Sequence, residues 1–333
     1  MRKIVLVVVV GAGVIFIRPT NSQTSGGQTL KKLTEFDLPG PAGKRFDYLT
    51  IDNDDHYLLS AHLAAGQTYV IDLRTNKVVA TVSDTPGVEG IEYEPELKKF
   101  YTSNAGDNTI GVVDLRQMKV IKKLRTEKKP DGSAYAAPFH KLYVSDEHGG
   151  TDTVIDARTN TRVATIPLGG DVGNTQYDPV TKHIFVNVQT RRQLLEIDPT
   201  SDKVIARIDL PGAAGNHGLL IEAQQRKAFI ACEDNHKLLV LDLATRRISG
   251  AFDVGDDPDV LAYDPGLGYL YVAAESGIVS IFNTKSGPVA RLADLNVGSN
   301  AHVVAVDSVT HKSYFPLKNV GGRAVLRIMS PSL

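Results

Sequence analysis

Seven residues recur at nearly fixed steps along the 333-residue chain: Asp47, Glu89, Asp131, Gly173, His217, Asp259 and His302. The steps between them are 42, 42, 42, 44, 42 and 43 residues. Four are carboxylates, two are imidazoles and one is a glycine. Carboxylate oxygens and imidazole nitrogens are the donors that hold a divalent cation or orient a polar ligand. Four acids gathered in one place would also repel one another and favour their protonated forms, a strain that a cation would relieve. Asp47, Glu89, Asp131, His217, Asp259 and His302 are therefore the ligand-binding candidates. Asp131, His217, Asp259 and His302 are the candidates for holding a metal. The alternative is that these side chains only satisfy backbone groups where neighbouring elements meet, as most buried polar residues do.

Other chemistry is thinly represented. A second series lies five residues further on, at Asp52, Glu94, Ala136, Asp178, Glu222, Asp264 and Asp307. Its members precede turns, and turn capping accounts for them. Between other predicted strands, His62, Asn104, Asp146, His148, Glu233, Asp234, His236 and Glu275 add polar groups. The single cysteine, Cys232, sits in the apolar run Ala228–Cys232 and reads as a small buried hydrophobe. No C-x-x-C pair, H-E-x-x-H helix, P-loop or nucleophile elbow is present.

The elements that must position the series come from a repeated phrase. Val70-Ile71-Asp72-Leu73-Arg74-Thr75-Asn76 returns around Asp114, Asp156, Asp198 and Asp242, with Asn283 and Met329 in the aspartate's place in the last two copies. A period of about 40–45 residues carrying several short strands marks a β-propeller blade. In the copy from Asp131 to Gly169, strands are expected at 132–137, 141–145, 151–157 and 162–167, separated by Pro, Gly, Asn and Asp turns. The predicted fold is all-β: a seven-bladed propeller of four-stranded antiparallel blades over residues 29–333. In such a ring the first strand of each blade lines a central channel, so the seven recurring residues should meet at its mouth.

Lys141-Leu142-Tyr143-Val144-Ser145-Asp146, Thr153-Val154-Ile155-Asp156, Thr159-Asn160 and Val163-Ala164-Thr165-Ile166-Pro167 together resemble the repeat of the YVTN-family β-propellers. The resemblance runs over residues 29–333, strongest in the first four copies. It implies an extracytoplasmic or surface-associated propeller and no single activity.

The seventh copy ends one strand short, and Phe36-Asp37-Leu38-Pro39-Gly40 matches the strand ending Ile208-Asp209-Leu210-Pro211-Gly212. The segment from Leu30 to Phe36 is therefore expected to pair with Ala324–Met329 and close the ring, removing open sheet edges. Ahead of it, Arg2-Lys3 and the apolar run Ile4–Ile17 read as a signal peptide spanning residues 1–22, with 23–28 a flexible segment. Export to the periplasm or exterior is the expected localisation, as a monomer with no membrane span after processing. A net charge of −1 argues against nucleic-acid binding, which needs a basic face. The expected function is non-catalytic binding or scaffolding, with a protein, a cell-wall component or a small polar ligand held on the channel-mouth face. The competing expectation is a metal-assisted, lactonase-like hydrolase or lyase. No cofactor is implied beyond a divalent cation.

Overall fold

The computed structural model describes residues 29–285 and 287–332. The signal-peptide and 23–28 segments read from sequence lie outside them. Seven four-stranded antiparallel sheets are found among the described residues. The third blade consists of Pro130–Ala136, Lys141–Asp146, Thr151–Asp156 and Thr161–Pro167, within two residues of the strand limits expected from sequence.

The repeated phrase is a turn. Asp156 Oδ1 accepts the backbone N–H groups of Arg158 and Thr159 at 2.9 and 2.8 Å. Asp72 and Asp114 cap the same two positions of their own turns. Four residues past each phrase aspartate the backbone turns left-handed, at Asn76, Met118, Asn160, Asp202 and Arg246. The aspartate satisfies N–H groups that this tight reversal removes from the ladder.

Packing follows a second frame. The third residue of strand two is Leu59, Tyr101, Tyr143, Phe185, Phe229, Tyr271 and Tyr314 in turn, each at most 2% exposed. These side chains fill the clefts between neighbouring blades. Ala134 and Tyr143 of blade three, for example, share a cluster with Ile184 and Val186 of blade four. Cys232 is buried in another such cleft, between blades four and five.

Every outermost strand carries a bulge at one position: Leu33, Val79, Ile121, Val163, Ile205, Ser249 and Leu292 each lack a cross-strand partner. Six of the seven are aliphatic and expose 41–51% of their surface. Bulges twist an edge strand away from further pairing.

The ring closes as expected. Leu30–Asp37 pairs antiparallel with Arg323–Pro331, from Leu30↔Pro331 to Asp37↔Val325. The Glu35 carboxylate accepts from Arg327 Nε and Nη2 at 2.9 and 2.6 Å across this seam.

A candidate cation-binding channel mouth

Three sequence frames converge on one end of the channel. The first is the recurring series itself, at the start of each blade's inner strand. The second lies two residues earlier: Arg45, Gly87, Lys129, Asp171, Gly215, Asp257 and Asn300. The third is the residue that follows strand two, including Leu63, Ala105, Glu147, Gln189, Glu233 and Glu275. Frames two and three are tied by backbone hydrogen bonds of 2.8–3.0 Å, as in Glu147 N–H to Lys129 O and Glu233 N–H to Gly215 O. The fold thus places a strand-two loop residue beside each strand-one residue around the rim.

The result is a cavity of about 490 Å³. Asp47, Glu89, Asp131, His217 and Asp259 of the recurring series border it. His302 does not: it is fully buried behind the wall, with Nε2 3.9 Å from Asp259 Oδ2 and Nδ1 3.1 Å from Asn300 O. Gly173 is the series' blank position for a steric reason. A Cβ there would lie 2.6 Å from His217 O and 2.7 Å from its Cα, so the glycine lets the His217 backbone approach.

His217 is fixed from several sides. Its Nε2 lies 3.2 Å from Asp131 Oδ2 and 3.7 Å from Asp259 Oδ1. Gln189 Nε2 lies 2.9 Å from its Nδ1, and Asn187 Nδ2 donates to its carbonyl at 3.0 Å. Burial opposes a charge on the imidazole, but Glu233, Asp131 and Asp259 outweigh it and hold its pKa well above the usual value. Asp131 is likewise buried, yet the hydrogen bond and charge of His217 keep it below the ordinary carboxylate value.

The other acids pay a clear electrostatic penalty. Burial, then the charge of Asp131, pushes Glu89 up to about 10. Burial raises Asp259 to about 7, with Glu233 adding to it and His217 and Arg45 opposing it. Burial and the charge of Asp259 raise Asp47 well above its usual value. His302, desolvated and facing Arg45, is pushed down to about 3, so it stays neutral across the physiological range.

Two cations of the chain answer part of this charge. Arg45 reaches Glu275 Oε1 at 2.5 Å, Asp259 Oδ2 at 3.4 Å and Asp47 Oδ2 at 3.7 Å. Lys129 pairs with Glu147 and also feels the charges of Glu89 and Asp131. Lys129 has φ 57°, where the other left-handed positions of its frame are Gly87, Gly215, Asp257 and Asn300. Glycine, aspartate and asparagine tolerate that conformation, and lysine does so at a cost of about 1–2 kcal/mol. Its ammonium is the compensating gain.

The loop residues divide. Glu233, Asp234 and Glu275 border the cavity. Asp146 turns into its blade and accepts from Thr151 and Thr153 Oγ1, both at 2.8 Å. His62 stacks on Phe46 with centroids 4.0 Å apart and hydrogen-bonds Tyr69, inside the blade-one core. Asn104 donates to Thr109, and His236 Nδ1 accepts from Asp257 N–H. The sequence reading passed over Arg45, Lys129, Glu147 and Tyr48, all of which border the mouth. The second series caps turns as expected: Asp52, Asp178 and Asp307 each accept two backbone N–H groups two and three residues on.

No family model matches the chain, and no curated protein matches it. Among solved structures, a chain of Kuenenia stuttgartiensis hydrazine synthase is similar at 17% identity and TM-score 0.75, covering 89% of this chain and 97% of that one. A chain of a mitotic checkpoint complex is similar at 12% identity and TM-score 0.77, covering 99% of each. At these identities the likeness is one of fold: the chain is a seven-bladed β-propeller.

Proposed function

We propose that the protein is an exported, YVTN-type binding propeller whose channel mouth takes a small cationic ligand. The observation that carries this reading is the charge balance of the cavity. Nine carboxylates border it, against Arg45, Lys129 and His217. A cleft lined by one sign of charge with low-dielectric walls concentrates ligands of the opposite sign. Burial, with the neighbouring acids adding to it, raises the carboxyl pKa values of Asp47, Glu89 and Asp259 and favours their neutral forms, and a bound cation would favour the ionised ones. The cavity is built on strand ends and the loop residues beside them.

Calorimetric titration tests it. A small diamine such as 1,4-diaminobutane should bind, and a trianion such as citrate should not. The double variant Glu233→Gln, Glu275→Gln, which removes two charges at half-exposed positions, should weaken diamine binding by about tenfold or more. Equal binding of diamine and citrate, or none of either cation or anion, counts against the reading. A metal-assisted hydrolase or lyase at the same mouth is the second reading, supported by three groups of His, Asp and Glu whose ligand atoms lie close together. Turnover of simple lactones that depends on an added divalent metal would favour it.

A further inference from the structure

Three triplets of potential metal ligands lie around the mouth, each with its ligand atoms within 4.8 Å of one another: Asp47, Asp259 and His302; Glu89, Asp131 and Glu147; His217, Glu233 and Asp259. The first two already contain a cation of the chain. Arg45 Nη2 stands 3.4 and 3.7 Å from the carboxylates of Asp259 and Asp47. Lys129 pairs with Glu147. In the third triplet, no lysine or arginine among the described residues pairs with Glu233; the cation there is the His217 imidazolium, whose proton a metal ion would replace. Asp259 turns Oδ2 to Arg45 and leaves Oδ1 for this triplet.

That oxygen supplies an independent observation. Asp259 is 4% exposed, and its Oδ1 is buried without a hydrogen-bond partner. The nearest cationic group, His217 Nε2, stands at 3.7 Å, outside hydrogen-bond range. A buried carboxylate oxygen left unpaired is costly, and native structures rarely leave one so without a function. Asp131 holds the Nε2 side of the imidazole, the kind of outer support that orients a metal-binding histidine, and Nδ1, 3.9 Å from Glu233 Oε1, is the nitrogen that would take the ion in place of its contact with Gln189.

We propose that His217, Glu233 and Asp259 hold a divalent metal ion of the borderline class, manganese or zinc. This deepens the cationic-ligand reading and rests on it. One imidazole with two carboxylates suits those ions better than the all-oxygen shells of calcium and magnesium. Three protein ligands leave coordination positions open toward the cavity, where water or a ligand group would complete the shell.

The test uses the full mature chain stripped with chelator. Titration with manganese, zinc, calcium and magnesium chlorides is followed by calorimetry. The bound manganese is examined by electron spin-echo spectroscopy for a coordinated imidazole nitrogen. One manganese or zinc per chain should bind, at least tenfold tighter than calcium or magnesium, with a nitrogen signal. Glu233→Gln, at a half-exposed loop position, should weaken that binding at least tenfold. Unchanged affinity in Glu233→Gln, loss of metal in Glu147→Gln in its place, or a shell without nitrogen overturns the assignment. Failure of all four metals with retained diamine binding overturns the metal site and leaves the cationic-ligand reading standing. Failure of metals and diamine together removes both.

Discussion

Tyr48 of blade one hydrogen-bonds Asn174 of blade four across the central channel. The phenol donates to Asn174 Oδ1, and the Tyr48 side chain borders both the acidic mouth and a second cavity of about 320 Å³ below it. The two blades are nearly opposite in the ring, so this one contact divides the channel into an upper acidic chamber and a lower one. Asn174 is 4% exposed, which makes its carbonyl oxygen depend on the tyrosine. Tyr48→Phe should cost about 1–3 kcal/mol, the penalty for a buried acceptor left without a donor. Adding Asn174→Ala should restore part of that loss. A double-mutant cycle by urea denaturation reads the coupling, and strict additivity would mean the bond does not hold the partition.

The architecture was legible because one phrase recurs at a fixed period and its aspartate has a local job. The turn that Asp156 caps forms within five residues, so a single copy suffices to read it. Asp47, Glu89, Asp131, His217 and Asp259 were legible at the mouth by the same counting, whereas the burial of His302 behind the wall was not. Arg45 and Lys129 escaped notice because their frame holds glycines, acids and an asparagine elsewhere, with no shared chemistry to mark it. Glu147 was overlooked between Asp146 and His148, although it sits in register with Glu233 and Glu275. Alternation along the strand end decides which of three adjacent polar residues faces the channel, and only Glu147 does so. The partner of Tyr48 lies 126 residues away and follows from ring geometry alone.

Ring closure makes two leucines on one strand behave oppositely. Leu30 is fully buried and packs with Tyr271, Phe315 and Met329, whereas Leu33 is the bulge residue and is 45% exposed. Leu30→Ala should cost about 2–5 kcal/mol. Leu33→Ala should change stability by no more than about 0.5 kcal/mol. Similar midpoints for the two variants in denaturant titrations would show that the strand is not a working part of the seventh blade.

The outer bulges predict a solubility effect rather than a stability effect. Deleting Val163 joins Arg162 to Ala164 and removes the unpaired residue from the edge strand of blade three. The edge flattens, because Ala164↔Val154 and Arg162↔Ile155 then become consecutive pairs of a regular ladder. Light scattering at equal concentration should rise in the deletion variant, while Val163→Ser, which keeps the bulge, should scatter like the parent. Blade five already carries serine at this position, Ser249.

Asp152 should make stability fall as pH rises. It is buried in blade three, accepts from Thr175 Oγ1 at 3.2 Å and lies near Asp146. Burial, helped by the charge of Asp146, raises its pKa to about 8. The unfolded value is about 3.9, so between those limits the folded state binds the extra proton. Its stabilising contribution is complete below about pH 4 and is lost as pH climbs toward 8, at about 1.4 kcal/mol per pH unit at most. Asp152→Asn should match the parent near pH 4 and exceed it near pH 8. Parallel stability curves for the two proteins would show that Asp152 is ionised in the fold.

Lys129 offers the sharpest check on the idea that the mouth balances its charge one triplet at a time. Its ammonium stands among Glu89, Asp131 and Glu147, and its backbone adopts a conformation that glycine holds freely at Gly87 and Gly215. Lys129→Gly therefore relieves about 1–2 kcal/mol of backbone strain while removing the cation that those acids share. Without metal the acids' repulsion should dominate, and the variant should melt below the parent. With calcium present the order should reverse, because an all-carboxylate triplet suits a hard cation and a ligand bound only to the folded state stabilises it. Calorimetry should then count one more bound cation per chain than in the parent. An unchanged count would mean that Lys129 packs against the rim and does not stand in for an ion.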